Sequence, residues 1–393
     1  MIVVVCNVGS TSLKFKVYEM PAEAELATGK IDRIGPAGGS TVSYRSPQVI
    51  LDREIGTVNY GSAVRIMIEC ISGDASDTSS PQMIDAVGFK TVHARGINDT
   101  CLLDDDIIER MEEYSSVAPS HNPPYLRAIR LVREFLPTTP LIGVFEAHFH
   151  KTIPDRLAAY ALPFEFFAEG LRKYGFHGSS HHYISLRIAE LEGNRARRVI
   201  SCHLGGSSSL CAILDGKSLD TSMGFSPQSG LPQGTRCGDI DPYVMVHLQK
   251  DKGYTLDQVE DLLGRKSGLL GLSGVSAEMS DVIAAAERGD TRAEHAISVY
   301  CDAAKKYIGS YAALLGGVDA MVFTGGIGEN SPLVRQRMLA GLEFLGVTLD
   351  AQANLAGPKE RLISNGPCRV YVIPANEELI VARETARVLL EVG

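Results

Sequence analysis

Two segments of this chain repeat one grammar: strand, tight polar turn, strand. In the first, Ile2 to Cys6 is an apolar run, Asn7-Val8-Gly9-Ser10-Thr11-Ser12 is the turn, and Leu13 to Tyr18 alternates apolar with charged residues. In the second, Arg198 to Cys202 is the strand, His203-Leu204-Gly205-Gly206-Ser207-Ser208-Ser209 is the turn, and Leu210 to Leu214 runs back. A period of two marks a strand, and glycine beside hydroxyl residues marks a turn. Gly9 permits the tight bend, and hydroxyls with backbone N–H groups at such a tip can cradle a phosphate. Two phosphate-type hairpins on one chain point to a duplicated nucleotide-binding fold with a cleft between the copies.

A chain of 393 residues is long for one core and comfortable for two. Residues 1 to about 60 read as strands, with Gly35-Pro36-Ala37-Gly38-Gly39 as the clearest loop. Gly61 to Ser72 and Asp105 to Ser115 read as helices, and Pro123-Pro124 opens another. Ile84 to Val92 and Pro140 to Phe149 read as strands, the second with Glu146 near its exit. The segment 150–175 reads as a connection. The second half again places strands before helices. Its longest helix, near Arg292 to Leu315, carries Ala296, Tyr300, Ala303, Tyr307, Tyr311 and Leu314 at helical spacing. Met321 to Thr324 is a strand, Gly325-Gly326-Ile327-Gly328-Glu329-Asn330 a loop, and Ser331-Pro332 a helix start. Val370 to Pro374 is a strand, and Asn376-Glu377-Glu378 leads a closing helix. The pattern predicts two α/β domains: 1–148 completed by 380–393, and 149–379.

The net charge of −9 disfavours a broad surface for nucleic acid or an anionic membrane. No stretch approaches the ~20 apolar residues of a membrane span, and Met1 to Cys6 is too short for a signal-peptide core. The eight cysteines are scattered without a C-x-x-C pair, which fits reduced thiols in a cytoplasmic protein.

Several tempting motifs fail. Gly216-Lys217-Ser218 lacks the P-loop glycine five positions earlier, where Cys211 stands, and Asp215-Gly216 reads as a hairpin turn. Gly326-Ile327-Gly328 lacks the third glycine of a dinucleotide fingerprint, although a turn into a helix there can hold a nucleotide. His148-x-His150 and His177-x-x-x-His181 have no further ligands at zinc spacing. His177 instead lies in Tyr174-Gly175-Phe176-His177-Gly178-Ser179-Ser180-His181, a Gly/Ser-rich turn suited to an anion. Arg236 lies between the glycines of Gly234-Thr235-Arg236-Cys237-Gly238, which suits close bidentate contact with a phosphoryl or carboxylate group.

These segments, with Asp220-Thr221-Ser222-Met223-Gly224-Phe225, Phe323 to Asn330 and Asn376-Glu377-Glu378-Leu379, match in order the signatures of one family. The chain resembles the acetokinase family, within the actin-like, sugar-kinase-like ATPases, from residue 2 to about 385. The resemblance implies a duplicated actin-like α/β fold and a homodimer. It implies reversible phosphoryl transfer between ATP and a short-chain carboxylate, with Mg²⁺. Carried over residue by residue, Asn7 and Glu377 help hold Mg²⁺. Glu146, His177, Arg236 and His121 serve the transferring phosphoryl group, and Lys90, Val92, Phe176 and Pro227 the acid. Lys14, His203, Gly205, Gly206, Ser207, Glu278, Gly326, Ile327, Gly328 and Asn330 serve the nucleotide.

The chain departs from the family pattern at several of these places. Lys90 stands where the family has a substrate-binding arginine, with Arg95 new nearby. Glu146 replaces a catalytic aspartate, and Gly206 a phosphate-loop asparagine. Ser120 replaces a leucine of the acyl pocket, Ser179 a threonine, and Ser280 an arginine beside the base. Three readings stay open: an acetate or related carboxylate kinase, a kinase of another acid or another donor such as pyrophosphate, and a catalytically weak nucleotide-binding paralogue.

Overall fold

The structure is a computed structural model, and it describes residues 1–9, 11–35, 39–74, 84–118 and 121–392. Ser10, Ser120 and the middle of the 35–39 loop lie outside the described residues. The chain divides into two compact units, 1–148 with 376–393, and 149–375.

The first unit contains β1 (Ile2–Val8), β2 (Ser12–Glu19), β3 (Ala24–Asp32), β4 (Ser40–Arg45), β5 (Ile50–Ile55), β6 (Ala86–Phe89), β7 (Cys101–Leu102) and β8 (Leu141–Gly143). Among the described residues these form one sheet in the order β5-β4-β3-β2-β1-β6-β8-β7. The second unit contains β9 (Arg198–Leu204), β10 (Ser208–Leu214), β11 (Lys217–Thr221), β12 (Ala320–Thr324), β13 (Arg361–Leu362) and β14 (Arg369–Val372), in the order β11-β10-β9-β12-β14-β13. The two sheets share a core pattern. In the first, β3, β2 and β1 form an antiparallel meander, and β6 and β8 continue parallel to β1. In the second, β11, β10 and β9 form the meander, and β12 and β14 continue parallel to β9. This is the duplicated actin-like α/β arrangement that the two hairpins predict.

Each sheet is held by helices on its apolar faces. Val381, Ala382, Ala386 and Val388 of the closing helix Glu377–Val392 pack on Val3, Val5, Ala86 and Ile142. In the second unit, helix Thr291–Leu315 covers one sheet face through Ile297, Tyr300, Ala304 and Ile308, against Ile200, Cys202, Leu210 and Phe323. Helix Gly178–Glu192 covers the other through Ile184 and Ile188, against Val199, Cys211 and Val322. The central strand β12 is buried along its whole length, as a strand covered on both faces must be. No described helix is long and apolar enough to cross a membrane. All eight cysteines are free thiols.

Four expectations need correction. The strand expected over Ile84 to Val92 is confined to Ala86–Phe89, because Thr91 N–H turns back onto the Phe89 carbonyl at 2.9 Å. Its neighbour, expected over Pro140 to Phe149, therefore stops at Gly143. Two further bonds, from Val144 N–H to Phe89 O and from Glu146 N–H to Thr91 O, carry the chain inward and leave Glu146 buried in a turn. The Gly/Ser segment after His177 is not a loose turn but the start of helix Gly178–Glu192. The loop Gly325 to Asn330 is a one-and-a-half-turn helix. Glycine-rich sequence gives little reason for a helix there; tertiary partners impose it. Glu329 accepts from Gly325 N–H at 2.9 Å and Ala375 N–H at 3.0 Å, and buried Arg335 donates to the Gly328 and Glu329 carbonyls. Asp215-Gly216 does form the β10–β11 turn, both residues at positive φ.

Gly88 of β6 shows how closely the closing helix sits. A Cβ there would lie 2.1 Å from Thr385 Oγ1 and 3.2 Å from Val381 Cγ1. Gly88→Ala must push that helix off the strand, and overpacking of this kind costs roughly 1–3 kcal/mol. Urea unfolding is expected to show that loss; a midpoint equal to wild type would mean that the helix seat is soft.

Candidate active site

In the first unit the turn between β1 and β2 is pinned from behind by two tyrosines. Tyr60, opening helix Tyr60–Asp74, donates its hydroxyl hydrogen to the Gly9 carbonyl. Tyr125, on helix Asn122–Phe135, accepts from Val8 N–H at 3.1 Å and donates to Asn7 Oδ1 at 3.3 Å. Lys14 faces Asn7 across the β1–β2 pair and Lys30 across β2–β3. Asn7, Lys14, Lys16, Lys30 and Glu378 line a cavity of about 270 Å³.

Lys90 follows β6, and its ammonium is held by Glu377 at the start of the closing helix. Glu146 Oε1 lies 3.8 Å away on another side. Burial alone would push this ammonium down. The Glu146 and Glu377 carboxylates, with Tyr125, instead hold it above the ordinary lysine range. Val92 is buried two residues on, and His121 stands at the N-terminus of helix Asn122–Phe135.

The donors in this unit fit magnesium. Asn7 and Glu377 offer one amide and one carboxylate oxygen, both hard ligands. Among the described residues, no group of three His, Cys, Asp or Glu side chains gathers into a cage. Amide and carboxylate oxygens are the ligand type that a hard cation such as magnesium takes. The Tyr125 hydroxyl fixes the Asn7 amide with its oxygen engaged on one lone pair only.

In the second unit the turn between β9 and β10 is tied in the same way. Ser208 Oγ accepts from Gly205 N–H at 3.1 Å, donates to the Gly205 carbonyl at 3.0 Å, and meets the Tyr300 hydroxyl at 2.8 Å. Gly325, at φ 79°, allows the chain after β12 to pass this turn. A Cβ there would lie 2.8 Å from the Leu204 carbonyl. The hairpin and the start of the short helix to Asn330 thus stand together: a Cβ on Gly205 would lie 3.9 Å from Gly326 N. Asn330 Nδ2 donates back to the Gly326 carbonyl. Glu278 precedes helix Met279–Glu287 and is exposed, as is Ser280 within it. The neighbouring Ala277 carbonyl lies beside Gly234 of the arginine loop.

Arg236 reaches the hairpin from that loop. Its guanidinium donates to Ser207 Oγ at 3.2 Å, to Gln233 Oε1 at 2.9 Å and to the Pro227 carbonyl at 3.4 Å. Ser207 also donates to Gln233 Oε1 at 2.8 Å, and Gly234 N–H donates to the Gly206 carbonyl. Among the described residues no carboxylate pairs with Arg236. Burial pulls its pKa below the ordinary range, the direction expected of a partly desolvated cation.

His177 sits at the N-terminus of helix Gly178–Glu192 with φ 58°, a left-handed conformation that a non-glycine residue adopts at a cost. Its Nδ1 lies 2.8 Å from Ser209 Oγ, and its ring stacks on His203 at 4.3 Å. His203 Nδ1 lies 2.8 Å from Ser180 Oγ. Phe176 is buried, and its carbonyl meets His150 Nε2 at 3.0 Å. His148 Nδ1 meets the Phe145 carbonyl.

Within the second unit the structure therefore brings His177, His203, Gly205 to Ser207, Pro227, Arg236 and Gly326 around one hairpin. Within the first it brings Asn7, Lys14, Lys90, Glu146 and Glu377 around one strand end. Sequence reasoning passed over Tyr60, Tyr125, Tyr300 and Gln233, which orient these groups. Tyr300 reads as core at helical spacing, Tyr60 precedes the helix expected from Gly61, and Gln233 directly precedes the Gly234–Gly238 loop.

A model of the acetokinase family matches residues 2–383. The chain is 43% identical over 393 residues to the acetate kinase of Geobacillus kaustophilus and 42% over 395 to that of Bacillus subtilis, with 98% of each chain covered. It superposes on the solved acetate kinase of Porphyromonas gingivalis with a TM-score of 0.86 at 36% identity, over 99% of both chains. It superposes on a propionate kinase of Francisella tularensis with a TM-score of 0.89 at 32% identity, over 98% of this chain and 99% of that one. A family model over residues 2–383, with identity of this depth over nearly the whole length, places the chain in the acetokinase family.

Proposed function

We propose that this protein catalyses reversible, Mg²⁺-dependent phosphoryl transfer from ATP to acetate or a related short-chain carboxylate, giving an acyl phosphate and ADP. The observation that carries this reading is Arg236, a half-buried guanidinium with no acidic partner among the described residues, hydrogen-bonded to the serine hairpin. Full-length similarity to acetate kinases supports it.

Phosphoryl transfer asks little covalent chemistry of a protein; it asks for alignment and for charge stabilisation where charge develops. Arg236 and His177 are assigned to the equatorial oxygens of the transferring group. The turn from Gly205 to Ser207 and the Gly326 turn are assigned to the donor's phosphates and adenosine, with His203, Glu278 and Asn330. Lys14 is assigned to the donor as well. Val92, Phe176 and Pro227 enclose the acyl group, and His121 assists at the reacting centre. Asn7 and Glu377 would hold Mg²⁺, which supplies Lewis-acid neutralisation of phosphate charge when bound. Glu146 stands in the place of the family's catalytic carboxylate. Lys90 both neutralises that carboxylate and offers the acid a cation, so an incoming carboxylate competes with Glu146 and Glu377 for the same ammonium. We assign the two units as the two domains of this fold. The protein works in the cytoplasm, where its free thiols stay reduced. We also propose a homodimer. Exposed Leu162, Phe164 and Phe166, and exposed Tyr243, Val244 and Val246 of helix Pro242–Lys250, are apolar surface that a second copy would cover.

Three measurements test this. A hydroxamate assay with acetate, propionate, glycolate and lactate, against ATP and pyrophosphate, is expected to give acyl phosphate with ATP and a short-chain acid. Activity with pyrophosphate alone, or with no pair, overturns the reading. Arg236→Ala is expected to lower kcat by about 10²–10³, the scale of losing one charged donor to developing charge, while the unfolding midpoint stays near wild type. Turnover equal to wild type removes Arg236 from the site. Lys90→Met leaves buried Glu146 and half-buried Glu377 without their shared cation; removing one partner of a buried pair costs roughly 3–5 kcal/mol, and the half-exposed Glu377 places the loss at the low end. Urea unfolding should register that loss, and Lys90→Arg should recover most of it.

A further inference from the structure

His177 does not end its hydrogen bonding at Ser209. The Ser209 hydroxyl also lies 2.8 Å from His181 Nε2, and His181 Nδ1 lies 2.9 Å from Ser201 Oγ. Ser209, His181 and Ser201 are fully buried. The backbone fixes their places. His181 is one helical turn beyond His177, its N–H bonded to the His177 carbonyl at 3.0 Å. Ser201 and Ser209 come from the paired strands β9 and β10. Burial, with His150 and His203 nearby, pulls the pKa of His181 well below the ordinary range, so this imidazole is neutral and carries one N–H.

Ser209 is fully buried, and a buried hydroxyl keeps its hydrogen bonded, so Ser209 donates once within the chain; counting hydrogens then leaves two patterns. Three bonds must be made: Ser201 to His181, His181 to Ser209, and Ser209 to His177. In one pattern His181 donates from Nδ1 to Ser201, Ser209 donates to His181 Nε2, and His177 donates from Nδ1 to Ser209. A neutral His177 then has no hydrogen on Nε2. In the other, Ser201 donates to His181 Nδ1, His181 donates from Nε2 to Ser209, and Ser209 donates to His177 Nδ1. A neutral His177 then carries its hydrogen on Nε2.

We propose that the chain Ser201–His181–Ser209 is a positioning device that holds His177 as the neutral Nε2–H tautomer. This rests on the reading that His177 binds the transferring phosphoryl group. Phosphoryl oxygens need a donor, and the second pattern supplies one without a second cation stacked face to face on His203 at 4.3 Å. The chain also explains why a histidine is tolerated in the buried first turns of a helix between two serine-bearing strands. Its polar atoms are satisfied there, and its task is to fix a neighbour's tautomer.

The test uses the full chain with ¹⁵N-labelled histidine, His177 being assigned by its loss in His177→Gln. Long-range ¹H–¹⁵N correlation reports which ring nitrogen carries hydrogen. At neutral pH wild-type His177 is expected to be neutral with hydrogen on Nε2. Ser209→Ala is expected to give a mixture of tautomers and to lower kcat by roughly tenfold or more, the scale on which losing the orienting partner of a functional imidazole acts. KM for the acid should change less than twofold, and Ser209→Thr, which keeps the hydroxyl, should restore both tautomer and rate. A wild-type His177 that is cationic or carries hydrogen on Nδ1 overturns the proposal, as does a Ser209→Ala spectrum equal to wild type. The spectrum of wild type needs no variant to fold. It also separates this inference from the reading beneath it: if His177→Gln turns over normally, the phosphoryl role of His177 fails, whatever its tautomer.

Discussion

Two serine hydroxyls on one hairpin organise the second unit. Ser207 meets the Arg236 guanidinium and Ser209 meets the His177 ring. The hairpin could offer an anion its backbone N–H groups alone. It gains a cation and an imidazole because alternate residues of β10 and its turn point to the same side. Neither side chain is free to choose its own orientation. Gln233 holds both Ser207 and Arg236, and the buried serine–histidine chain holds His177. Preorganisation of this kind is what electrostatic stabilisation of a transition state needs, since donors aimed in advance cost no reorganisation during reaction.

The first unit solves a different problem. Its carboxylates Glu146, buried, and Glu377, half-buried, would be costly near one another without a cation, and Lys90 supplies it from the residue after β6. An arginine in that place would present a planar fork matched to one carboxylate. Lysine presents a compact charge with three donors that can divide between two. The extra methylene of Glu146 relative to aspartate fits the same arrangement, because the shorter, compact head group of Lys90 leaves distance for the carboxylate to cover. The two departures, which look separate along the chain, thus meet in one contact, Lys90 Nζ to Glu146 Oε1 at 3.8 Å.

Much of this was legible in the sequence because the signal was local. The hairpins at 7–12 and 203–209, the start at Ser331-Pro332 and the long helix to Leu315 are set by turn chemistry, capping and period. What the sequence hid was set by tertiary partners. Gly325 to Asn330 became helix because Glu329 and Arg335 satisfy its two ends. The strand through Glu146 ended early because its neighbour turned away at Thr91. Arg236 was legible as an arginine between glycines, yet its bonds to Ser207 and Gln233, with no carboxylate beside it among the described residues, were not. Tyr125 and His181 were hidden for a further reason: each lies on a helix at core spacing, and only the third dimension shows a polar atom aimed at a functional neighbour.

The two hairpins also show how one backbone motif acquires two chemistries. Each lies at the joint between the antiparallel meander and the parallel strands, and each is pinned by tyrosine from a helix behind the sheet, Tyr60 and Tyr125 in one, Tyr300 in the other. A tyrosine suits that post. Its ring joins the apolar face of the helix while its hydroxyl satisfies turn groups that burial would otherwise leave costly. With the turn fixed, the flanking side chains are released from structural duty and can differ. The first copy carries Asn7 and Lys14, oxygen for a hard cation and an ammonium beside it. The second carries His203, Ser207 and Ser209, hydroxyls that collect an arginine and an imidazole. The duplication supplied the geometry twice, and under the function proposed above the residues at the two tips divide the work between metal and phosphoryl group.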